Sequence, residues 1–213
     1  MLRLALALVA MVAVMVHATR AEQNKYLIIV VLDNSAALQG VDLAEGLKKQ
    51  LLFQVTELRK KSELRQAAVR IVSVNNPRVL WSGTPMELFR NGGALLSRIG
   101  VVKNGCADIL GALDHVRLII ELEQPVRVDL YVFSSLIHTG SPCDKVSITL
   151  PQPAPEQLDL SFLSNEKTRI RFYFVHHLQL RPWHEMLKRI GLKNASIHDE
   201  ESTRALLQKG LAP

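Results

Sequence analysis

The stretch that decides the fold is Tyr26-Leu27-Ile28-Ile29-Val30-Val31-Leu32, which runs directly into Asp33-Asn34-Ser35. A continuous apolar run of this length, rich in β-branched residues, predicts a strand buried on both faces, as at the centre of a parallel sheet. Asp, Asn and Ser then predict a turn at the carboxyl end of the strand. From 41 to 61, leucine and valine recur at helical spacing, so strand, turn and helix predict the first half of a βαβ unit.

The rest of the chain continues this alternation. Further strands are predicted at 67–74, 126–133, 169–175 and near 195–197, and a short strand at 78–81 forms a hairpin with the second strand. Helices are predicted from 84 towards 99, and at 108–123, 183–190 and about 199–208, with Thr84 as the cap of the first and Pro182 just before the third. The pattern predicts an α/β fold, a doubly wound and mostly parallel sheet with helices on both faces.

The long connection from 134 to 157 is rich in Ser and Pro, and the loop from 138 to 157 is its main part. Long connections without secondary structure inside a compact domain are usually functional or flexible, so this loop is a candidate binding element. A tolerated insertion is the alternative.

The amino-terminal segment predicts export. Arg3 precedes an apolar run at 4–16, and the following stretch at 17–21 contains the small residues Ala18, Thr19 and Ala21, which is typical of a secretory signal peptide. Cleavage is expected after Ala21, with Ala18 as the alternative. The chain therefore divides into a signal peptide at 1–21 and one domain at 22–213, periplasmic or secreted and without a membrane span after cleavage. An uncleaved anchor is the alternative, although the apolar run is shorter than the roughly 20 residues that span a bilayer.

The charge pattern argues against a nucleic-acid partner. The net charge is +6, the basic residues are scattered, and the longest basic run is Arg59-Lys60-Lys61. Aromatic residues are few and do not alternate with the basic ones. The pattern is typical of solvated helix faces, so no nucleic-acid binding is expected.

Three segments resemble, in order and spacing, the von Willebrand factor A domains. LIIVVLDNSAA at 27–37 resembles the strand that leads into Asp-x-Ser-x-Ser, the core of a metal-ion-dependent adhesion site. GCADILGAL at 105–113 is similar to the family's Gly-Gly-Thr-x-x-x-x-Ala-Leu segment, and LYVFSS at 130–135 to its strand ending in Ser-Asp or Thr-Asp. The resemblance implies a von Willebrand A-like fold over the mature chain and a function in binding.

The five metal-ligand positions implied by the resemblance are only partly retained. They fall on Asp33, Ser35, Ala37, Ala107 and Ser135. Alanine has no donor atom, and one carboxylate with two hydroxyls makes a poor site for Mg²⁺ or Ca²⁺. The site is therefore expected to be degenerate, with no bound metal and no other cofactor.

The carboxyl edge of the sheet supplies the candidate partner-binding residues, because ligands of such folds bind beyond the carboxyl ends of the strands. These residues are Asp33, Asn34, Ser35, Ser134, Ser135, His138 and His176. For Asp33 and Ser35 a local role is favoured, in which the Asp33 carboxylate caps backbone N–H groups of the following turn, and a role in partner binding is the alternative.

The two cysteines, Cys106 and Cys143, are a candidate disulfide, because an even pair in an oxidising compartment commonly bonds. On the resemblance to von Willebrand A domains, they fall in loops that adjoin the same edge. Two free thiols are the alternative.

The sequence therefore predicts a binding protein and not an enzyme. The expected function is protein–protein interaction, as an accessory or scaffold component of a bacterial cell-envelope assembly, with an unidentified protein partner and no metal. One alternative is an envelope hydrolase, since Asp33, Ser135 and His138 are the residue types of a catalytic triad. Another is a metal-dependent receptor using His176-His177, although adjacent residues at a strand end are expected to point to opposite faces. A purely structural role is the third.

Overall fold

The computed structural model describes residues 26–35, 38, 40–96, 99, 106–139, 160–164 and 167–211. The predicted signal peptide, Ala37, Cys143 and most of the connection at 138–157 lie outside these residues. The predictions made for them therefore stay predictions.

A six-stranded sheet forms the centre of the protein, in the order β3-β2-β1-β4-β5-β6. All neighbouring strands are parallel except β3, which pairs antiparallel with β2 in the predicted hairpin. β1 lies between β2 and β4, and its residues from Leu27 to Leu32 are buried, as the apolar run predicts. The strands are β1 (Tyr26–Leu32), β2 (Ala68–Ser73), β3 (Arg78–Gly83), β4 (Arg127–Phe133), β5 (Thr168–Tyr173) and β6 (Ala195–Ile197).

Helices cover both faces of the sheet, which confirms the doubly wound α/β architecture. Ile28, Val30 and Leu32 of β1 pack in one apolar core with α1, α2 and α5, whereas Ile29 and Val31 face a second core with α3 and α4. Among the described residues, no helix is long and apolar enough to cross a membrane. The helices are α1 (Val41–Glu57), α2 (Pro85–Leu96), α3 (Ile109–Glu123), α4 (His177–Arg189) and α5 (Glu200–Lys209), with short 3-10 turns at Leu58–Lys60 and Ser161–Leu163.

Side-chain caps fix where several helices begin. The backbone N–H of Thr84 donates to Glu87 Oε2 (2.7 Å), and the N–H of Glu87 donates to Thr84 Oγ1 (3.3 Å), which is the reciprocal capping box that the sequence predicts for α2. Asp108 caps α3 by accepting from Gly111 N (2.9 Å), and Asp199 caps α5 by accepting from Ser202 N (2.9 Å). The last two caps place the carboxylates of Asp108 and Asp199 at the carboxyl edge of the sheet.

The predicted start of α4 at Trp183 is wrong, because the helix begins at His177 and contains Pro182. Proline is common in the first turn of a helix, which suggested a start just after it. Inside the helix, Pro182 removes one backbone bond. The buried side chains of Gln179, Trp183 and Met186 continue one helical face across the proline, and packing of that face against the sheet offsets the lost bond. Trp183 is fully buried, as its helical spacing predicts.

Candidate functional site

The carboxyl ends of β1, β4 and β5 meet at one edge of the sheet and are joined by backbone hydrogen bonds. Asp33 N donates to Phe133 O (2.8 Å), and Ser134 N donates to Tyr173 O (3.1 Å). β1 and β4 are spatial neighbours although they are far apart in the chain, so this edge is the topological switch point of the sheet. Ligands of open α/β sheets bind at such points, and the candidate residues lie here.

Asp33 forms the centre of a buried polar cluster at this edge. Its side chain is fully buried. Oδ1 accepts from the backbone N of Ser35 (2.9 Å) and from the hydroxyl of Ser35 (2.6 Å), and Oδ2 accepts from the hydroxyl of Ser134 (2.7 Å). Both carboxylate oxygens are therefore bonded to groups of this chain. Asp33 caps its own turn, as the favoured local role predicts, and it also links the ends of β1 and β4.

Burial sets the electrostatics of this cluster. It raises the pKa of the Asp33 carboxyl, whereas the hydrogen bonds from Ser35 and Ser134 and the positive charge of Lys48 act in the opposite direction. Lys48 lies on α1, is itself buried and pairs with Glu45 (2.6 Å). The ionised form of Asp33 thus depends on a few hydroxyl and amide donors of the protein itself.

The neighbouring side chain of Asn34 holds the turn after β1 against the turn after β2. Its Oδ1 accepts from the hydroxyl of Ser73 (2.8 Å) and from the backbone N of Asn75 (3.1 Å). Asn34 is almost fully buried. The candidate partner-binding residue Asn34 therefore has an evident structural role.

Backbone groups of Ala107 hold the loop before α3 against the loop after β4. Ala107 is fully buried, its N–H donates to Thr139 Oγ1 (2.7 Å), and its carbonyl accepts from Thr139 N (2.9 Å). The next residue, Asp108, caps α3, and its Oδ1 lies 3.7 Å from His138 Nδ1. His138 is therefore placed beside Asp108.

A cleft of about 460 Å³ opens beyond the carboxyl ends of β4, β5 and β6. Ser135 is buried at its wall, and the backbone N of His176 donates to Ser135 O (3.1 Å). Phe174, also in the wall, has a positive φ of 63°, which turns the chain sharply between β5 and α4. The lining residues are Gly40, Ser135, Phe174, Val175, His176, His177, Asp199, Glu200 and Glu201.

The two adjacent histidines lie side by side in this cleft. Their ring centroids are 4.3 Å apart. The expectation of opposite orientations is wrong because His176 is the cap of α4 and not the end of a strand, and its Nδ1 accepts from Leu178 N (3.3 Å). Partial burial and the nearby His177 lower the pKa of His176, so His176 favours its neutral form near pH 7.

The structure separates the predicted site residues into two groups. Asp33, Ser35 and Ser134 form the buried cluster, whereas Ser135, His176 and His177 line the cleft. Neither Asp33 nor His138 is part of the cleft lining, so the residue types of a triad are not brought together there. Within the described parts of the chain, no group of three or more His, Cys, Asp or Glu side chains is arranged to hold a metal ion.

The sequence analysis missed the acidic side of the cleft, which Asp199, Glu200 and Glu201 supply. The sequence signal for these acids is the same as for the other residues of this edge, namely their position after the carboxyl end of a strand. These three acids directly follow the short strand β6 and begin α5, so edge logic applied to the last strand would have found them.

Comparisons with known proteins bear on the fold. No protein-family model matches the sequence, and no curated protein is significantly similar to it. Solved structures do match. The SpRpn10 VWA domain aligns with a TM-score of 0.56 and 11% identity over 89% of this chain and 100% of that one. Proximal thread matrix protein 1 (PTMP1) from the mussel byssus aligns with a TM-score of 0.53 and 14% identity over 88% of this chain.

The fold is therefore von Willebrand A-like, as the three sequence segments imply. The chain spans about half the length of the mussel protein, covering 47% of it. At these identities the likeness establishes the fold alone.

Proposed function

We propose that this chain is an exported protein-interaction module that binds a protein partner through the carboxyl edge of its sheet, without a metal ion and without catalysis. The observation that carries the proposal is the division of this edge into a self-satisfied polar cluster around Asp33 and an open cleft beside it. The cluster has no free carboxylate oxygen to offer, whereas the cleft presents polar groups to solvent.

Metal independence is supported by the chemistry of the retained positions. Mg²⁺ and Ca²⁺ prefer several oxygen ligands with carboxylate charge. Asp33 is the only carboxylate among the five positions, it is fully buried, and both of its oxygens accept hydrogen bonds from Ser35 and Ser134. Ala107 offers no side-chain oxygen. This donor set does not fit a divalent cation.

A binding role in preference to catalysis is supported by the separation of the reactive residue types. A serine nucleophile needs a base within hydrogen-bond reach and a third group that orients the base. Ser135 lines the cleft, whereas His138 lies next to Asp108 and Asp33 is engaged with Ser35 and Ser134. The cleft instead combines hydroxyl, imidazole and carboxylate groups around an apolar wall, a composition suited to a protein side chain or turn.

The cellular setting is part of the proposal. The amino-terminal sequence supports export to the periplasm or beyond, and an interaction module there suits an accessory or scaffold role in a cell-envelope assembly. A Cys106–Cys143 disulfide would stabilise the loops at the same edge. Amino-terminal sequencing of protein recovered from the periplasm of an expressing bacterium tests export, with a start at 22 or 19 expected. A chain that begins at Met1 would contradict it.

Calorimetric titration tests metal independence. The purified protein is titrated with Mg²⁺, Ca²⁺, Mn²⁺ and Zn²⁺, with Asp33→Ala beside it. We expect no saturable heat in either protein. Tight binding to the wild type that Asp33→Ala abolishes would overturn the proposal and identify a working adhesion site.

Site-specific photo-crosslinking tests the binding edge. A benzophenone amino acid replaces His177, which is exposed at the cleft, or Lys193, which is exposed in the turn before β6. Lys193 therefore lies at the amino ends of the strands, away from the cleft. In envelope extract, we expect a discrete adduct from position 177 and none from 193. Equal labelling at both positions, or none at 177, would argue against partner binding at this edge.

A further inference from the structure

An apolar groove lies between α1 and α2, on the face of the sheet opposite α3 and α4. Its volume is about 240 Å³. Phe53 and Phe89 flank it with 56% and 53% of their surface exposed, and Gly92 and Gly93 line it without side chains. A Cβ added at either glycine would meet nothing within 4 Å, so the groove is open where a partner's side chains would enter.

The rim of this groove is positively charged. Lys49 lines it, and the guanidinium of Arg59 lies 3.8 Å from the centre of the Phe89 ring. Glu57 pairs with both Arg59 and Lys60. Three cations against one carboxylate leave the rim with a net positive charge, which favours an apolar partner surface that carries acidic side chains.

This chain itself presents such a surface on α3, which we call the α3 ridge. Leu118 and Leu122 are 41% and 83% exposed and lie one turn apart on one face of the helix. Asp114 and Glu121 flank them, both exposed and both paired with Arg117 (2.7 and 3.1 Å). Two carboxylates against one guanidinium give the ridge a net negative charge.

We infer that the groove between α1 and α2 receives the α3 ridge of a second copy of this chain. Exposed large apolar side chains are few in the described residues, and most of them belong to the groove, to the ridge or to Val126 just beyond it. Side-chain ridges of one helix pack into grooves of others, and opposite net charges favour this pairing. The two surfaces lie on opposite faces of the sheet, so the contact is head-to-tail. In a pair, one copy keeps a free ridge and the other keeps a free groove.

The contact is small, so the association is weak. A contact confined to one groove and one ridge falls at the low end of interface sizes, where weak and transient associations are found. Sedimentation velocity of the exported protein, after cleavage of the signal peptide, from about 5 to 500 µM therefore measures it. We expect the average mass to rise with concentration and to pass that of a dimer, because a head-to-tail contact continues unless it closes into a ring.

Two variants block one side each. Phe53→Glu puts a negative charge in the groove that meets the acidic ridge, and Leu122→Lys puts a positive charge on the ridge that meets the basic groove. Each is expected to weaken association by at least tenfold, about the effect of losing a central apolar anchor. Leu178→Glu is the matched control, because Leu178 is 45% exposed on α4 and belongs to neither surface, and it is expected to behave as the wild type.

Mixing the two variants distinguishes this contact from any other. An equimolar mixture of Phe53→Glu and Leu122→Lys retains one intact groove and one intact ridge, so a dimer is expected that neither variant forms alone, which also shows that both are folded. A monomer at every concentration would overturn the inference, as would a symmetric dimer that Phe53→Glu abolishes and Leu122→Lys leaves intact. An equal effect of Leu178→Glu would overturn it too.

Discussion

The hydroxyl of Ser134 holds the buried cluster together, and its removal gives the sharpest test of the site's structure. Ser134 is fully buried. It donates to Asp33 Oδ2 (2.7 Å) and accepts from the backbone N of Leu136 (3.0 Å). Leu136 has a positive φ of 58°, which a leucine adopts only when its surroundings impose it. Ser134→Ala therefore removes two bonds and leaves a buried carboxylate oxygen and a buried N–H without these partners.

The magnitude follows from those two bonds. A hydrogen bond to a charged group contributes about 1.5–3 kcal/mol, and a buried N–H left without a partner costs about 1–3 kcal/mol. We expect Ser134→Ala to lower the free energy of unfolding by about 4 kcal/mol, a large share of the stability of an ordinary domain. The adjacent Ser135 is a matched control, because it is also buried but within the described residues its hydroxyl accepts one long bond, from Ile137 N (3.4 Å). Ser135→Ala is expected to cost about 1 kcal/mol or less.

The effect depends on pH in a defined direction. The pKa of Asp33 is raised in the folded protein, so its ionisation opposes folding above that pKa and has no effect below the unfolded value of about 3.9. Ser134→Ala raises the folded pKa further, because it removes a bond to the ionised form. The stability difference between wild type and Ser134→Ala is therefore largest above the pKa of Asp33 and decreases as the pH falls through that pKa.

Urea unfolding, followed by tryptophan fluorescence between pH 4 and 8, measures both quantities. Trp183 is fully buried and packs against Phe172 (ring centroids 5.4 Å apart), so its emission reports loss of the core. Equal losses in Ser134→Ala and Ser135→Ala would refute the reasoning. A Ser134→Ala difference that grows towards acid pH would refute it as well.

Two further predictions concern the helix glycines and the cysteines. Gly46→Ala is expected to raise the free energy of unfolding by about 0.5–1 kcal/mol through helix propensity, because the added Cβ meets nothing within 4 Å. Gly111→Ala is not expected to stabilise, because its Cβ would lie 2.4 Å from Asp108 Oδ2 and displace a cap worth about 1 kcal/mol. A gain in stability at both positions in urea unfolding would contradict this account. Mass spectrometry of a non-reduced digest is expected to show a Cys106–Cys143 peptide, and reduction is expected to lower stability by about 3–4 kcal/mol; alkylation of both thiols before reduction would contradict the disulfide.

The fold could be predicted from the sequence because its signals are local. The run from Tyr26 to Leu32 is short, rich in β-branched residues and without polar interruption, which favours a strand covered on both faces, and β1 has those bounds. The start of α4 could not be predicted, because the proline at 182 is a strong local signal for a helix start and the packing of Gln179 and Trp183 that overrides it is tertiary.

The site was predictable only to the level of the sheet edge. Strand order brings Asp33, Ser134 and His176 to one edge, and the alternation of strands and helices indicates that edge. Which of two adjacent serines contacts Asp33 depends on the direction of the chain as β4 ends, and here Ser134 turns inward while Ser135 faces the cleft. The hydrophobic periodicity of the sequence does not distinguish these two side-chain orientations.

The same turn accounts for the metal independence that we propose for this von Willebrand A-like edge. A cation at such an edge holds several loops in place by coordinating their oxygens. In this chain Ser134 bonds to Asp33, Asn34 bonds to Ser73, and Thr139 bonds to the backbone of Ala107, so direct hydrogen bonds join the same loops. Because those bonds occupy the polar groups of the cluster, the groups that we propose for recognising a partner are the ones in the neighbouring cleft, His176 and His177 on one side and the acids of α5 on the other. Partner binding should therefore respond to substitutions in the cleft and be unaffected by chelators.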